Sequence, residues 1–340
     1  MGDDFSTTVN FDTTGMKMIV SGSANEITYE YSADQIALSI ADLMIKGDKI
    51  KDTKINLILR NLSGKTTSVA GDLRQITQTV TAEMITYEMA ISAPEGGSIT
   101  VEGSIADFAM NSDSSMPESM DFQNMSAALA AGFGGKGALT WGAGGYEFSA
   151  KSDDSEVTGK STSDSGSLNF AMTHDSLNYG GTANGNKISI TSSDLPFPID
   201  VSIAESAFNI LMPISKTDTP SDFAMTIKLG DFTINDAIWS LFDPGANLSR
   251  DPATILLDFT GKANWLIDIM NPEAAMEMDI DMPGQLHALT LKALQIKAVG
   301  AELTGSGAFT FNNDDLETFD GMPAPTGMLD LKLTGGNGLM

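Results

Sequence analysis

Strict alternation of apolar and polar residues recurs from one end of this chain to the other and constrains its fold most. In the segment 26–31, isoleucine and tyrosine alternate with glutamate and threonine, and the segments 54–60 and 85–91 repeat the pattern. Successive side chains of a strand point to opposite faces, so a period of two predicts half-buried strands, typical of antiparallel sheets. We therefore predict an all-β fold, mainly antiparallel, arranged as a long curved sheet, an open half-barrel or a sandwich.

Polar and turn-forming residues indicate where the predicted strands end. Asn184-Gly185 lies between two alternating segments and predicts a type I′ hairpin, because both central positions of that turn need a positive φ. The polar segment 111–124 predicts a loop. The polar run 151–165 predicts either an edge strand or a solvated loop, and we favour the loop.

Capping residues predict two or three short helices. Asparagine supplies an acceptor for the free N–H groups of a first helical turn, and glycine tolerates the left-handed conformation that ends a helix. The first helix would end at Gly132 and the second at Phe242. The candidate N-caps are Asn124 for the first helix, Asn235 or Asp236 for the second, and Asn271, before Pro272, for the third.

The chain is long enough to bury a large core as one extended β unit, since 41% of its 340 residues are hydrophobic. Prolines 196 and 198 interrupt strand pairing and mark a candidate seam near 193–199. That seam would divide an N-terminal β half, 1–195, from a C-terminal half, 196–340, which contains the predicted helix 236–242.

Charge and composition exclude several classes of partner. The formal net charge is −26, which disfavours nucleic acid, because binding to phosphates needs clustered cations. No apolar run approaches the length of a membrane-spanning helix, which needs about 18 residues. The chain has no cysteine, so disulfides and thiolate metal sites are excluded, as suits a bacterial envelope protein that does not rely on oxidation. The opening residues contain no signal peptide pattern.

No catalytic residue is predicted. The only histidines are His174 and His287, and there is no Gly-x-Ser-x-Gly elbow. Gly64-Lys65 and Gly159-Lys160 imitate the end of a phosphate-binding loop, but the first glycine of that motif is missing in both places. We therefore expect that the protein has no cofactor, and we favour a binding protein over an enzyme.

The segment 231–272 contains the best candidates for ligand binding. Trp239, Phe242 and Trp265 are large apolar side chains in the one region where alternation gives way to a helix, and we predict that they lie near a ligand cavity. Packing in the core is the competing interpretation for each of them. A weaker set of candidate metal ligands, with affinity for Cu(I), is Met276, Met278, Met282 and His287.

Several runs resemble one bacterial family. The runs are FDPGANLSRDPATILLDFTGKA at 242–263, the long run 284–339, LNYGGTANG at 177–185 and DLPFPI at 194–199. They are similar to an alphaproteobacterial family called domain of unknown function 2125. The resemblance implies a periplasmic or secreted protein, because members usually begin with a signal peptide, and a further C-terminal segment. It supplies no catalytic residues.

Three hypotheses for function follow from the predicted sheet. The apolar face of a long sheet needs a cover, which favours a periplasmic or cell-envelope carrier of a lipid or another apolar ligand. The alternatives are a structural or surface scaffold without ligand and a carboxylate-based hydrolase. An apolar cavity would favour the carrier, a solid core the scaffold, and two converging buried carboxylates the hydrolase. Protein partners and oligomeric state are not predicted.

Overall fold

A computed structural model describes residues 5–45, 48–49, 53–92, 96–120, 124–271 and 283–339. They form one large antiparallel sheet with two short α-helices, which confirms the predicted all-β class. The strands are β1 (Phe5–Thr14), β2 (Lys17–Gly22), β3 (Glu26–Ile45), β4 (Asp48–Lys49), β5 (Lys54–Val69), β6 (Leu73–Ser92), β7 (Ser98–Pro117), β8 (Gly134–Trp141), β9 (Gly144–Lys151), β10 (Glu156–Ser163), β11 (Ser165–Met172), β12 (Ser176–Ser192), β13 (Ile199–Pro213), β14 (Ser221–Ile234), β15 (Ala253–Trp265), β16 (Gly284–Ala298), β17 (Ala301–Asn312) and β18 (Ala324–Thr334). The α-helices are α1 (Met125–Ala130) and α2 (Asp236–Phe242), and a 3₁₀ turn covers Gly336–Leu339.

The strands follow one another as a meander, each pairing with its neighbour in sequence. β1 and β2 lie end to end along β3, and β8 with β9 and β10 with β11 likewise share one line each. The sheet therefore has 14 strand positions, with the two-residue β4 paired to the end of β3. The segment 193–198 connects β12 to β13, which pair along nearly their full length, so the sheet continues across it.

A line of left-handed residues crosses the strands part-way along their length, and we call it the kink line. In five strand positions the residue on this line has a positive φ. In three of the strand positions between these, the residue on the line is acidic. Aspartate, asparagine and glycine adopt this conformation most readily. In β6 the apolar residues just before the line, Ile76, Val80 and Ala82, are even-numbered, whereas Ile85, Tyr87, Met89 and Ile91 after it are odd-numbered. The left-handed residues are Gly15, Asn61, Asp107, Gly185 and Asp231, and the intervening acids are Asp34, Glu83 and Asp164.

The hairpin predicted at Asn184-Gly185 is wrong. Both residues lie inside β12, where Asn184 pairs with Ser165 on one side and Glu205 on the other. Gly185 does have the positive φ, at 64°, that the turn prediction required. Gly185 adopts this conformation on the kink line, where it bends the long strand β12 and does not form a turn that reverses the chain.

Two polar segments predicted as loops are strands. Residues 111–117 continue β7, where all of them pair with β6 and residues 111–115 also pair with β8. In the run 151–165, β10 pairs with β9 on one side and β12 on the other, so it is neither a loop nor an edge strand. Serine and aspartate are tolerated there because one side of the sheet is solvated along these strands.

The structure confirms the two described helices and their caps. The Asn124 side chain accepts a hydrogen bond from the backbone N–H of Ala127 at 3.0 Å, and Gly132 follows α1 with a φ of 96°. Asn235 caps α2 by accepting from the backbone N–H of Ile238 at 3.4 Å. The helix predicted after Asn271 begins at Pro272 and lies outside the described residues.

The two connections at one end of the sheet touch each other. The backbone N–H of Ser126 in α1 donates to the Met270 carbonyl at 3.3 Å, and the Ser126 hydroxyl donates to the Asp268 carboxylate. α1 follows β7, whereas Asp268 and Met270 follow β15, six strand positions away. These contacts therefore join two parts of the chain whose strands are six positions apart in the sheet.

The sheet has little core. Among the described residues only seven hydrophobic side chains are fully buried, and four of them are alanines. The accessible surface is 20,468 Å², whereas a compact protein of 35.9 kDa exposes about 13,000 Å². The excess means that most of the sheet is a single layer, and the described residues place no second sheet or helical layer on it. The buried hydrophobic residues are Ala33, Leu43, Ala82, Ala128, Leu129, Ile214 and Ala301.

Candidate functional site

One row of apolar residues crosses the whole sheet, from one edge to the other, and we call it the apolar row. Directly paired residues of neighbouring strands point to the same side, so the register defines the row without a gap. It takes one residue from each strand position, and all are hydrophobic or glycine. They are Met18, Tyr31, Gly64, Val80, Met110, Leu139, Leu168, Gly181, Phe208, Ile227, Leu257, Leu294, Gly305 and Leu331.

Parallel rows enlarge this apolar side of the sheet. Phe170, Tyr179, Ile210, Met225 and Phe259 stand opposite one another along the next row, between β11 and β15. The adjacent positions, which point to the other side, are mostly polar or small. Side chains on the apolar side remain accessible, as shown by the 40% exposure of Ile210 and of Ile227 on central strands. The apolar side is therefore an extended hydrophobic surface that no described part of the chain covers with a second layer.

Glycines on this side receive aromatic rings from the neighbouring strand. A methyl group added at Gly159 would lie 2.2 Å from the Phe148 ring, and one at Gly64 would lie 2.3 Å from the Tyr31 ring. Phe223 covers Gly261 in the same way. Rings that lie over a cross-strand glycine cover backbone that would otherwise be exposed. Tight packing within the sheet thus replaces part of the missing core.

The lysine after each of these glycines points to the other side and pairs with an acid next to the ring. The acidic residue directly precedes the aromatic residue in sequence. Each acidic–aromatic pair on one strand therefore lies opposite a Gly-Lys pair on the neighbouring strand. This arrangement explains why Gly-Lys recurs in the chain, and it places Gly64-Lys65 and Gly159-Lys160 in strands, without the helix that phosphate binding needs. The pairs are Lys65 with Glu30 at 3.5 Å, Lys160 with Glu147 at 2.7 Å, and Lys262 with Asp222 at 2.8 Å.

A groove lined by charged side chains, here called the polar groove, extends over β6, β7, β9 and β10. Its volume is about 740 Å³, and it continues into a second cavity of about 650 Å³. Both are lined by Glu88, Glu102 and Glu147, which stand directly opposite one another on neighbouring strands, and by Lys160. The three glutamates were not singled out from the sequence, because only the strand register brings them together.

Ion pairs shift the pKa values of charged side chains in this groove. A hydrogen bond from Lys54, at 2.6 Å, holds the pKa of Glu88 below its ordinary value, and Glu147 raises the pKa of Lys160. Burial, together with the nearby Tyr146, raises the pKa of Tyr87. A general acid for hydrolysis needs a carboxyl whose pKa is raised by an apolar surrounding. Glu88 has the opposite shift, and its side chain is 39% exposed.

A smaller apolar cavity of about 300 Å³ lies at one end of the apolar side. The connection between β17 and β18 folds over Leu286 and Phe311 and contributes Phe319 and Met322 to the lining. The Asn313 side chain fixes this connection by donating to the Leu286 carbonyl at 3.0 Å. Pro325 of β18 also lines the cavity, which therefore adjoins the exposed apolar residues of that strand.

Trp239, Phe242 and Trp265 are not brought together. The first two lie on α2, next to the end of β15 where Ala253 pairs, and Trp265 is the last residue of that 13-residue strand, about 40 Å away. Phe242 is 76% exposed, and α2 contains no buried residue, so it does not plug the sheet. The predicted common cavity is therefore absent from this arrangement.

Each of the two tryptophans has a local environment of its own. Arg250 lies over the Trp239 ring, 6.0 Å from its centroid. The buried Trp239 indole nitrogen makes no well-aligned hydrogen bond with any described residue, although its N–H helps to lower the pKa of Asp243. Trp265 donates its indole N–H to the Pro213 carbonyl at 2.7 Å, which connects the end of β15 to the end of β13. Trp265 is thus a structural contact at the end of the sheet.

The candidate metal ligands Met276, Met278 and Met282 lie outside the described residues. His287 lies in β16, where its Nε2 is 2.6 Å from Oδ1 of Asn264 and donates to it. Asn264 is buried and donates in turn to the Thr217 carbonyl at 2.8 Å. Within the described part of the chain, no group of histidine, aspartate and glutamate side chains is arranged to hold a metal ion.

Comparison with protein-family models, with curated proteins and with solved structures finds no match to this chain. The helices that the structure describes are too short and too polar to cross a membrane. The functional argument therefore rests on the apolar side, the polar groove and the strand edges.

Proposed function

We propose that this protein binds and carries a lipid or another extended apolar ligand on the apolar side of its sheet. The observation that carries the proposal is the apolar row, which runs from Met18 to Leu331 without a polar interruption other than the hydroxyl of Tyr31. Exposed apolar patches larger than a few hundred Å² are rare in monomeric soluble proteins and mark binding surfaces.

The dimensions of the surface favour long ligands. Neighbouring strands lie about 4.8 Å apart, so 14 strand positions extend the row over about 60 Å. A compact ligand would cover only a fraction of this length, whereas acyl chains can lie along it singly or several together. The cavity between Leu286, Phe311 and Phe319 provides a sheltered place for the end of such a chain.

The proposed location is the periplasm or the cell envelope, and the proposed family is domain of unknown function 2125. The similar runs described above support both, and the absence of cysteine is compatible with either. Fractionation of bacteria that make the full-length protein tests the location. Recovery in the cytoplasmic fraction would contradict it.

The scaffold without ligand and the carboxylate-based hydrolase remain the alternatives. For the hydrolase the best candidate groups are Glu88, Glu102 and Glu147 in the polar groove. The pKa of Glu88 is lowered, and the side chain of Glu147 is exposed. Neither side chain lies in the apolar surroundings that a general acid requires, so both observations argue against a hydrolase.

The test is native mass spectrometry, with extraction and identification of lipids, of the protein purified from a bacterial envelope without detergent. A stoichiometric lipid in the spectrum is the expected result. In parallel, binding of the fluorescent fatty acid cis-parinaric acid is measured for the purified chain. A clean apo mass together with absence of fatty acid binding would refute the carrier function and leave the scaffold.

Two matched variants place the ligand on the sheet. Ile210→Lys puts a charge on the apolar side, and Asn209→Lys puts the same charge on the next residue of β13, which points to the other side. We expect Ile210→Lys to weaken fatty acid binding about tenfold, because a charge interrupts the apolar contact, and Asn209→Lys to leave it unchanged. Equal effects of the two variants would show that the ligand lies elsewhere.

A further inference from the structure

The two outermost strand positions of the sheet are apolar and exposed on both sides. β1 and β2 pair only with β3, and β18 pairs only with β17, among the residues that the structure describes. Met18 is 57% exposed, Ile19 61% and Leu331 55%, although hydrophobic strands at an edge favour pairing with another chain. β2 and β18 thus present backbone groups that pair with no further described strand, and they carry exposed apolar residues.

The two edges are matched in chain direction. Fourteen antiparallel strand positions place β1–β2 and β18 in opposite directions, because the direction alternates and the number is even. A second copy placed beside the first in the same orientation therefore brings its β1–β2 antiparallel to β18 of the first copy. Antiparallel pairing is the arrangement of every ladder in the sheet, so the junction would continue its hydrogen-bond pattern.

We propose that β18 of one copy pairs with β1–β2 of a second copy and joins the chains edge to edge into a larger sheet. The unpaired charges at the edges select the register: Asp330 stands opposite Lys17 of the next copy. Neither residue makes an ion pair with any part of the chain that the structure describes. The same register sets Leu329 opposite Met18 and Met328 opposite Ile19, so apolar residues meet apolar residues on both sides.

A second copy fits these edges better than an unrelated strand. The apolar row ends at Met18 on one edge and at Leu331 on the other, so joining two copies prolongs the apolar surface across the junction. Opposite charges directly across a strand pair stabilise it, and like charges destabilise it. The contact uses two different surfaces of each chain, so it leaves one edge free at either end and permits further addition.

Charged residues often protect sheet edges against association, and Lys17 and Asp330 are the obvious candidates for such protection. Here the two charges are opposite in sign and lie on the strands that would meet. Contact between unlike edges therefore places opposite charges on the two strands that meet.

The absence of cysteine makes cross-linking a direct test. One preparation of the 340-residue chain contains Met18→Cys, and a second contains Leu329→Cys. Mixed under mild oxidation, they are expected to form a disulfide-linked dimer of two chains, whereas each preparation alone is not. Thr182→Cys, on a central strand, replaces Met18→Cys in the control mixture and is expected to remain monomeric.

Three outcomes would overturn the proposal. Dimers formed by either single variant alone would show contact between like edges. A disulfide within one chain of the double variant Met18→Cys/Leu329→Cys would show that the two edges pair in the same molecule. Monomers in every mixture would show that the edges do not associate. None of these results depends on whether the apolar side binds lipid.

Charge reversal tests the register in chains without cysteine. Lys17→Asp places two aspartates opposite each other, and we expect the dissociation constant, measured by analytical ultracentrifugation, to rise about fivefold. The double variant Lys17→Asp/Asp330→Lys restores opposite charges and should recover the original value. Equal dissociation constants for all three chains would refute this register. Circular dichroism checks that each variant keeps its sheet.

Discussion

Gly159 provides a test of how the rings of the apolar side pack on the sheet. A methyl group added at Gly159 would stand 2.2 Å from Cε1 and 2.5 Å from Cζ of Phe148, whereas ordinary contacts begin near 3.4 Å. In Gly159→Ala the ring therefore has to move by more than about 1 Å or turn away from the strand, and either movement loses van der Waals contacts. We expect the variant to be less stable than the parent chain.

The magnitude follows from two opposing effects. Crowding in a packed site costs about 1–3 kcal/mol, and replacing glycine by alanine within a strand returns about 0.5–1 kcal/mol of backbone entropy. Gly230→Ala is the matched control, since a methyl group there meets nothing closer than 3.5 Å and the residue has no positive φ. The control should therefore become slightly more stable, and the two variants should differ by about 1–3 kcal/mol in free energy of unfolding.

Urea unfolding followed by circular dichroism measures both variants. A double-mutant cycle with Phe148→Leu then isolates the contact, because the smaller side chain leaves room for the new methyl group. In the Phe148→Leu chain the cost of Gly159→Ala should largely disappear. If Gly159→Ala were as stable as Gly230→Ala, or if its cost persisted without the ring, the packing of Phe148 on Gly159 would not be a stabilising contact.

Two further predictions concern the short helices. Asn124→Ala removes the acceptor for the Ala127 N–H and should lower the free energy of unfolding by about 1 kcal/mol in urea denaturation, whereas Asn124→Asp should retain most of it. The Asp243 carboxylate accepts from the backbone N–H groups of Leu248 and Asn247, which hold its pKa below the ordinary 3.8. The ionised form therefore stabilises the turn after α2 above that pH, and the stabilisation is lost as the pH falls through 3.8 towards the lowered pKa. Fluorescence of Trp239 in a chain without the other tryptophans should follow this loss, and Asp243→Asn should abolish the pH dependence.

The strands were predictable from alternation, and the helices α1 and α2 from their caps. The errors in 111–117 and 151–165 arise because polar residues are tolerated on the solvated side of a sheet. The error at Asn184-Gly185 has a different cause. Turn rules assume strands of about five or six residues, whereas several strands here have 15–20 residues and cross the kink line. Residues that normally end a strand therefore stand inside one, where a left-handed residue bends it.

The candidate site was less predictable than the fold. Trp239, Phe242 and Trp265 are close in sequence, but a strand of 13 residues separates Trp265 from α2. Membership of the apolar row depends on the register of all the ladders, because each residue is a neighbour only of its cross-strand partners. The Gly-Lys units were visible in the sequence, but their meaning required knowledge of which ring covers each glycine.

Ionic strength should separate the two proposed uses of the apolar residues. Each chain has a formal charge of −26, so copies that approach edge to edge repel one another, and every added copy increases the repulsion. Salt shortens the screening length from about 10 Å at 0.1 M to about 3 Å at 1 M. Edge-to-edge association, measured by sedimentation, should therefore strengthen with salt, because screening of the overall repulsion outweighs the loss of the single Asp330–Lys17 pair. Binding of a fatty acid to one chain involves no second copy and should change much less. If salt instead weakened the association, the Asp330–Lys17 ion pair would be its main source of free energy. The apolar edges would then contribute less to the association than the exposed fractions of Met18 and Leu331 imply.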